Sequence, residues 1–333
     1  MKLAIVGATG LVGQEVLRVL EERQFPLQTL LPVASASSIG QPILWAGQAH
    51  TIISLEAALA AQPTIAIFAT GKAVAETWAP RFVAAGTTVI DNSTAWRMHP
   101  AHKLIVPEVN GHLLQADDKL IANPNCSTIQ LVMALAPLHQ RYGLRRLVIA
   151  TYQAVTGSGK AGVDQLMAER QGVADASRAY PHPIDLNIIP HIDEFLASGY
   201  TREEMKLVHE SQKILGDPSI RITATAVRVP VVGGHSLAVN AELAQDFDLD
   251  EVTQLLHTSP GIVVQDNGPQ QQYPMPLYAQ HRNEVFVGRL RSDCSQPRAL
   301  DLWIVADNLR KGAATNAVQI AACVVPLLTQ RYV

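Results

Sequence analysis

A short apolar segment leads directly into a glycine-rich turn at the start of the chain. Lys2 to Val6 predicts a buried strand, Gly7 to Gly13 predicts a tight turn, and apolar residues recur at helical spacing from Val12 to Leu20. In such a unit the glycines let the backbone approach a pyrophosphate, and the helix N-terminus supplies N–H donors. Because a glycine turn alone is a weak signal, a tight connection that binds no ligand is the alternative.

Apolar strand segments and helical segments then alternate through the first third of the chain. Strands are predicted at Thr29 to Ala34, Ile65 to Ala69, Thr88 to Ile90 and Leu120 to Ala122, with helices at Leu55 to Ala61 and Val74 to Ala85. This alternation is typical of an α/β fold, and it predicts a Rossmann-type, doubly wound sheet with mostly parallel strands.

The pattern changes near Arg146, where longer β-rich stretches begin. These are Leu147 to Val155, Ile222 to Val232, His235 to Leu243, Glu284 to Leu290 and Ala299 to Ala306. They predict a second, α+β domain. We therefore expect a dinucleotide-binding domain at 1–126 and a substrate-binding, catalytic domain at 127–310. In the last segment, 311–333, a helix from Lys311 to Gln330 is expected to pack back on the first domain.

The composition favours a protein that binds small molecules. The 333 residues fit two domains, and 26 basic against 29 acidic residues give no basic surface for nucleic acid or anionic lipid. Three widely spaced cysteines suggest neither a disulfide framework nor a metal site, which fits the reducing cytoplasm. Residues Leu3 to Val6 do not resemble a signal peptide, and the interrupted apolar run Ala313 to Leu328 is expected to be too short for a membrane span.

The region after the second predicted strand bears on cofactor choice. An NAD site usually places an acidic residue there, but no Asp or Glu occurs between Glu22 and Glu56. The hydroxyls of Ser35, Ser37 and Ser38 could instead donate to a 2′-phosphate, so NADP is favoured. No arginine lies there to decide the matter, and NAD remains an alternative.

One cysteine lies where a helix is expected to begin. Cys126 follows Asn123-Pro-Asn and precedes the apolar run from Ile129 to Leu138. Unpaired N–H groups and the helix dipole at such a position favour the thiolate, which is the form that attacks carbonyl carbon. The alternative is that Cys126 is a small buried apolar residue, as most cysteines without a disulfide are.

Eight motifs in a fixed order make the chain similar to a known family. They are Gly7-Ala-Thr-Gly-Leu-Val-Gly13, Asp91-Asn-Ser-Thr-Ala-Trp-Arg-Met98, Val106-Pro-Glu-Val-Asn110, Asn123-Pro-Asn-Cys-Ser-Thr128, Thr151-Tyr-Gln-Ala-Val-Thr-Gly157, Glu203-Glu-Met-Lys206, Arg228-Val-Pro230 and Gly234-His-Ser236. Each is weak alone, but together they resemble the aspartate-β-semialdehyde dehydrogenases along essentially the whole chain. The resemblance implies a phosphorylating, NADP-dependent aldehyde dehydrogenase that acts in lysine, threonine and methionine biosynthesis.

The resemblance also implies three catalytic roles. Cys126 would be the nucleophile that carries an acyl-thioester, and His235 would be the general acid/base, a role that suits imidazole near neutral pH. Gln153 would orient the substrate beside the cysteine. Taken alone, His235 could be a surface or core histidine and Gln153 an ordinary amide at a strand end.

Further site residues are implied for each part of the substrate and the cofactor. Arg97 and Lys206 would hold phosphate, Arg228 the α-carboxylate and Glu203 the amino group, with Asn125 also in the substrate site. Without the motifs, Glu203 and Lys206 would be interpreted as an exposed ion pair on one helix face. The implied cofactor residues are Gly7, Thr9, Gly10, Leu11, Val12, Ser35, Ser37, Ser38, Thr156, Gly157 and Asn308, and no metal is expected.

Four positions depart from the family pattern. Ser37 stands where an arginine is frequent, Gln41 where a lysine is frequent, Leu237 where a glutamate is common and Lys72 where a glycine is usual. The first two bear on the binding of NADP. If the family's glutamate helps to orient the histidine, Leu237 predicts weaker proton transfer by His235.

Two other functions compete with this prediction. An N-acetyl-γ-glutamyl-phosphate reductase would share the architecture, but its substrate nitrogen is acylated and would not need Glu203. A catalytically silent relative with a binding or structural role would be expected to lose Cys126, Gln153 and His235. The predicted protein is thus a cytoplasmic enzyme that binds inorganic phosphate and its substrate, without nucleic acid or membrane. The family resemblance implies a homodimer formed through the second domain.

Overall fold

The computed structural model describes residues 1–173 and 178–329, which form two compact units. The first unit contains Met1–Pro124 and the segment that begins at Ala313, and the second contains Asn125–Gly312. This division places Asn125 and Cys126 in the second unit, whereas the predicted first domain ended at residue 126. The segment from Ala313 belongs with the first unit.

A six-stranded parallel sheet forms the centre of the first unit. The strands of this unit are β1 (Lys2–Val6), β2 (Thr29–Val33), β3 (Pro42–Trp45), β4 (Gln48–Thr51), β5 (Ile65–Phe68), β6 (Thr88–Asp91), β7 (Lys103–Leu104) and β8 (Leu120–Ala122). The sheet order is β2-β1-β5-β6-β8-β7, which confirms the predicted doubly wound sheet. Leu3, Ala4 and Ile5 are completely buried, as expected for a strand covered on both faces.

Strands β3 and β4 form a separate hairpin that the sequence analysis missed. Ala46 and Gly47 make its turn with φ angles of 49° and 74°, both in the left-handed region. Two-residue hairpin turns of this kind are usually marked by Asn-Gly or Asp-Gly. Because alanine rarely adopts this conformation, Ala46 gave no signal for the turn.

Helices cover both faces of the first sheet. They are α1 (Leu11–Glu22), α2 (Leu55–Ala60), α3 (Lys72–Ala84), α4 (Pro107–Asn110) and a C-terminal helix (Thr315–Thr329). Val16 and Leu20 of α1 share one core cluster with Val318 of the C-terminal helix, and Ala58 of α2 shares another with Phe82 of α3. These two clusters are the layers expected on the faces of a doubly wound sheet.

The C-terminal helix follows a π-helical turn, Arg310–Ala314. Together they give a helix, Arg310–Leu328, that is 19 residues long and apolar enough to cross a membrane by length and composition, so the expectation that this segment is too short was wrong. Since 56% of its apolar window is buried inside the protein, it has the character of a core helix. The predicted end of this helix, Gln330, lies outside the described residues.

A mixed six-stranded sheet forms the second unit, in the order β10-β9-β11-β14-β13-β12. Its strands are β9 (Leu144–Gln153), β10 (Arg221–Arg228), β11 (His235–Leu243), β12 (Ile262–Val264), β13 (Val285–Ser292) and β14 (Ala299–Ala306). Its helices are α5 (Cys126–Tyr142), α6 (Gly159–Arg170), α7 (Arg202–Leu215), α8 (Leu249–Thr258) and α9 (Pro276–Ala279). The predicted α+β character of this half is confirmed.

The directions of four neighbouring strands create one polar edge in the second sheet. Strand β9 is parallel to β10 and antiparallel to β11, which is in turn antiparallel to β14. The carboxyl ends of β9, β10 and β14 therefore meet the amino end of β11 at the same edge. Gln153 and Arg228 end their strands and His235 begins β11, so residues far apart in sequence become neighbours there.

Candidate active site

The predicted nucleophile is the first residue of α5. Asn125 is the N-cap of this helix, and its Oδ1 accepts hydrogen bonds from the backbone N–H groups of Ser127 (2.9 Å) and Thr128 (3.3 Å). Cys126 is partly exposed, and in the described chain no cysteine forms a disulfide. The thiol thus lies at the positive end of a 17-residue helix, where a negative charge is favoured.

Two carboxylates from α7 hold the residue that precedes the cysteine. Glu203 Oε1 accepts a hydrogen bond from Asn125 Nδ2 at 2.9 Å, and Glu210 Oε2 accepts one from the Asn125 backbone N–H at 2.7 Å. Sequence reasoning missed Glu210. Its only signal was its position two helical turns after Glu203, which places both side chains on one face of α7.

Glu203 connects several of the predicted site residues. Its Oε1 also accepts from Gln153 Nε2 at 3.2 Å, and its Oε2 accepts from Lys206 Nζ at 3.0 Å. Burial acts to raise the pKa of Glu203, but Lys206 and the amide donors outweigh it, and the pKa lies below its ordinary value. The side chain is 5% exposed, so this is a buried anion rather than one half of an exposed helix pair.

Lys206 is shared between two carboxylates. Besides Glu203, its ammonium contacts Asp193 Oδ2 at 2.7 Å. Burial lowers the pKa of Lys206, but the charges of Glu203 and Asp193 reverse the effect, and the net shift is upward. The side chain therefore stays cationic at neutral pH and can meet an anion at the surface of the site.

His235 is buried and held in one protonation form. The backbone N–H of Ala154 donates to Nδ1 at 3.0 Å, so the proton of the neutral ring is on Nε2. Among the residues that the structure describes, Nε2 has no hydrogen-bond partner. Burial, and then the positive charge of Arg228, place the pKa of His235 well below its ordinary value. The imidazole is thus a neutral N–H donor without an acceptor in the described part of the chain.

Arg228 lies beside this histidine. Its Nη1 donates to the Ala154 carbonyl oxygen at 2.6 Å, so Ala154 is bonded on one side to the arginine and on the other to the imidazole. Burial lowers the pKa of Arg228, while the negative charges of Tyr180, Glu203 and Cys126, when ionised, act in the opposite direction. The guanidinium is therefore within electrostatic reach of the proposed nucleophile.

Leu237 gives His235 no hydrogen-bond partner, and in this chain a backbone amide contacts the imidazole instead. It lies two residues after His235 on β11 and is completely buried in the apolar core. A leucine cannot accept the Nδ1–H that a glutamate at this position could accept. The Ala154 amide takes the Nδ1 position instead and selects the Nε2–H form.

Two glycines and one asparagine lie close to the Arg228 and His235 side chains or to the turn that leads to them. A Cβ at Gly157 would lie 2.7 Å from Arg228 Nη1 and 3.1 Å from His235 Nε2. Asn308 donates to Thr156 Oγ1 at 3.0 Å and accepts from the Gly234 N–H at 3.1 Å, which fixes the turn that leads into β11. The structure thus supports a positioning role for Asn308, which sequence reasoning had assigned only to cofactor binding.

Gly312 is a second site residue that sequence reasoning missed. It lies in the π-helical turn, and a Cβ there would lie 2.9 Å from Cys126 Cβ. π-Helical turns inside helices are frequently found at functional sites. A single glycine near the start of a long apolar helix was the available signal, because such a glycine often has a packing reason.

The glycine loop of the first unit has the geometry of a phosphate cradle. A Cβ at Gly7 would lie 2.4 Å from the Ala69 carbonyl oxygen, and one at Gly13 would lie 2.1 Å from the Gly7 oxygen. Gly10 is the N-cap of α1, so it has no side chain to satisfy the N–H groups at the helix start, which include those of Leu11 and Val12. These residues, with Thr9, fit the pyrophosphate of a dinucleotide.

The serine segment follows β2, where the ribose of a dinucleotide is expected. Ser35 and Ser37 are exposed, with their hydroxyl oxygens 3.1 Å apart, and Gln41 Nε2 donates to the Ser37 carbonyl at 3.0 Å. Ser38 ends the same short 3₁₀ turn.

Lys72 begins α3 and pairs at 3.5 Å with Glu76, and both side chains are exposed. Nothing in the structure explains why Lys72 replaces a glycine.

Arg97 belongs to the first unit. It is 8% exposed, and its Nη2 donates to the Asn92 carbonyl at 2.7 Å, in the loop that follows β6. The other predicted catalytic and substrate residues lie in the second unit. Within the described ranges, no group of three or more His, Cys, Asp or Glu side chains could hold a metal ion.

Comparisons with known proteins agree with this division. Residues 2–116 match the family model described as semialdehyde dehydrogenase, NAD binding domain, and residues 135–311 match the semialdehyde dehydrogenase dimerisation domain. The aspartate-semialdehyde dehydrogenase of Aquifex aeolicus is 44% identical over 332 residues, covering 97% of this chain and 98% of the relative. That of Legionella pneumophila is 45% identical over 328 residues, covering 96% and 94%.

Solved structures give the same match. Aspartate semialdehyde dehydrogenase II from Vibrio cholerae, complexed with ASA, has a TM-score of 0.93 and 41% sequence identity, with 98% of each chain covered. A probable aspartate-semialdehyde dehydrogenase from Pseudomonas aeruginosa has a TM-score of 0.90 and 31% identity, covering 100% of this chain and 99% of that one.

Proposed function

The chain belongs to the aspartate-semialdehyde dehydrogenase family, and we propose that it reduces L-aspartyl 4-phosphate to L-aspartate 4-semialdehyde, reversibly and with NADPH. The predicted family is thereby confirmed, as is the prediction of an oxidoreductase. The observation that carries the proposed chemistry is one arrangement in the second unit. Asn125, which caps the helix that begins with Cys126, bonds to the buried Glu203 anion. The buried Arg228 guanidinium interacts electrostatically with Cys126 and with His235, whose buried Nε2–H has no hydrogen-bond partner among the described residues.

Cys126 carries the acyl group in this proposal. Its thiolate attacks the carbonyl carbon of the acyl phosphate, the C–O bond to phosphate breaks, and a thioester forms. NADPH, when bound, supplies the hydride that reduces this thioester to the oxidation level of the aldehyde. The product of this step is the thiohemiacetal anion, and its collapse breaks the C–S bond, releases the semialdehyde and returns the thiolate. In the reverse direction, inorganic phosphate cleaves the thioester.

His235 acts at the oxygen of the reacting carbonyl. Its Nε2–H donates a hydrogen bond to the negative charge that develops on this oxygen, which is the role of an oxyanion-hole donor. The Ala154 bond to Nδ1 and the lowered pKa of the ring support the donor form over the cation. The family implies an acid/base role for His235. Within that role, this geometry favours donation of a hydrogen bond over acceptance of a proton.

The charged residues match the ends of the substrate. The Arg228 guanidinium can bind the α-carboxylate through two parallel hydrogen bonds, and Glu203 can pair with the free ammonium group. Lys206 and Arg97 are proposed to bind phosphate, with Gln153 and Asn125 completing the substrate site. A buried Glu203 carboxylate would not be matched by an N-acetylated substrate, which argues against the reductase of N-acetyl-γ-glutamyl phosphate.

The glycine loop and Ser35, Ser37 and Ser38 are proposed to bind NADP together with Thr156, Gly157 and Asn308. The absence of an acidic side chain from 23 to 55 supports NADP over NAD. We also propose a homodimer, since residues 135–311 match a dimerisation domain. For this chain we propose a cytoplasmic location and a place in lysine, threonine and methionine biosynthesis.

The direct test is phosphate-dependent reduction of NADP in the presence of aspartate semialdehyde. Parallel reactions contain NAD in place of NADP, or N-acetylglutamate semialdehyde in place of the substrate. We expect turnover that requires phosphate and favours aspartate semialdehyde and NADP. A lack of turnover with aspartate semialdehyde, in a folded protein, contradicts the proposed function.

A further inference from the structure

Helix α7 carries three buried glutamates, and each accepts hydrogen bonds from a different set of donor groups in the second unit. Glu203 (5% exposed) bonds to side chains of the proposed substrate site. Glu204 (7%) accepts from the Thr201 N–H, closing the helix cap, and from the Ala226 N–H of β10. Glu210 (1%) accepts from the Asn125 N–H. No substrate role is proposed for the last of these.

We propose that Glu210 is a positioning residue whose carboxylate fixes the Asn125–Cys126 turn and thereby sets the reactivity of the Cys126 thiol. This inference rests on the function proposed above. The Asn125 backbone, with φ of −60° and ψ of 143°, sets the direction in which Cys126 enters α5. The hydrogen bond to Glu210, 2.7 Å long, anchors the backbone N–H of Asn125, while its carbonyl oxygen accepts from the Ile129 N–H within α5.

Glu203 cannot supply a constant anchor for the same turn. If Glu203 pairs with the substrate ammonium, its bonds to Asn125 Nδ2 and Gln153 must adjust when substrate binds and leaves. Glu210 lies two turns further along α7 and holds a backbone group, so it can keep the turn in place during that exchange. Its charge is balanced in part by Lys213, whose pKa burial lowers and Glu210 raises.

Two substitutions distinguish the effect of the acceptor oxygen's position at Glu210 from the effect of its negative charge. Glu210→Gln keeps an acceptor oxygen at the same distance, whereas Glu210→Asp keeps the charge and withdraws the acceptor by one methylene. We expect kcat to stay within about 3-fold of wild type for Glu210→Gln and to fall roughly 10- to 100-fold for Glu210→Asp, because small displacements of reacting groups cost rates of this order. The KM for aspartate semialdehyde should change less than kcat.

A second measurement does not need turnover. The rate at which iodoacetamide alkylates Cys126 is followed by peptide mass mapping, with the exposed Cys294 as an internal standard. Glu210→Asp should change the rate at Cys126 and leave that at Cys294 unchanged, while Glu210→Gln should change it less. Because no substrate is present, this result is independent of whether the wild-type enzyme turns over aspartate semialdehyde.

Glu204 provides the matched control, since it is a buried acceptor on the same helix that holds β10 instead of the cysteine turn. Glu204→Asp should lower thermal stability and leave Cys126 alkylation unchanged. The proposal is overturned if Glu204→Asp alters the alkylation rate of Cys126 as much as Glu210→Asp does. It is also overturned if Glu210→Asp changes neither kcat nor the alkylation rate of Cys126. If Glu210→Asp does not fold, a kcat loss of about 10-fold or more in folded Glu210→Gln, in which the hydrogen bond is retained, also overturns it.

Discussion

The two units build their sites from different materials. In the first unit, the proposed phosphate cradle consists of backbone N–H groups together with Gly7 and Gly13, where a Cβ would have no room. In the second unit, the site consists of buried charged and polar side chains that hold one another, with Glu203 at the centre. A backbone site should therefore be most sensitive to added atoms. A side-chain site should be most sensitive to lost donors, acceptors and charges.

The largest effect is expected from the nucleophile of the side-chain site. Cys126→Ala should lower kcat by about 10⁴-fold or more, since a covalent route cannot proceed without the group that carries the acyl chain. Steady-state rates of NADP reduction measure this. The matched control is Cys294→Ala at an exposed position, which should retain wild-type activity. Similar losses of activity in both variants would contradict the proposal that Cys126, and not Cys294, is required for catalysis.

His235 tests whether the side-chain site needs a donor or a proton acceptor. Glutamine can donate from its amide but cannot transfer a proton as imidazole does. We expect His235→Ala to lower kcat by roughly 10²- to 10³-fold, the usual loss of an oxyanion-hole donor, and His235→Gln to lose only about 10-fold. Equal losses in the two variants would show that proton transfer, rather than hydrogen-bond donation, is the essential role.

Gly13 tests the backbone site in the same way. A Cβ there would lie 2.1 Å from the Gly7 oxygen, so Gly13→Ala must displace the loop. We expect a loss of stability of about 1–3 kcal/mol and a higher KM for NADP, measured by denaturant unfolding and by kinetics. Gly71→Ala is the control, because no atom lies within 4 Å of the Cβ it would add. Similar behaviour of the two variants would remove the steric argument for the cradle.

The smallest expected effect is a dependence of stability on pH. The pKa of His235 lies well below its ordinary value in the folded protein, so below about pH 6.5 the unfolded chain binds a proton that the folded one does not. The uncharged His235 ring therefore makes its full contribution to the free energy of unfolding above that pH. This contribution decreases as the pH falls, because protons stabilise the unfolded chain. Urea unfolding between about pH 7 and pH 5 should show a shallower decrease for His235→Gln than for wild type. The same pH dependence of stability in both proteins would contradict a lowered pKa for His235.

The same difference between the units decided how much could be predicted from the sequence. Lys2 to Val6 and the glycine turn are adjacent in the chain, so local patterns predicted the first strand with its observed bounds. Cys126 was found for the same reason, because its helix start is local. The hairpin at Ala46 and Gly47 was missed since alanine is an unusual residue in that turn.

The side-chain network depends on strand directions that no local pattern contains. Gln153, Arg228 and His235 meet because β9 and β10 run parallel and β11 runs the other way. The family resemblance supplied these residues, whereas their contacts came from the structure. Glu210 and the Ala154 amide were missed because the first acts on a backbone group 85 residues away and the second is itself a backbone group.

The central claim is that Cys126 carries the acyl group. The most direct measurement is peptide mass mapping of the enzyme after it is mixed with aspartate semialdehyde and NADP in the absence of phosphate. We expect an aspartyl group on the peptide that contains Cys126, removable by hydroxylamine and by added phosphate. An acyl group on any other residue, or none during phosphate-dependent turnover, would contradict it.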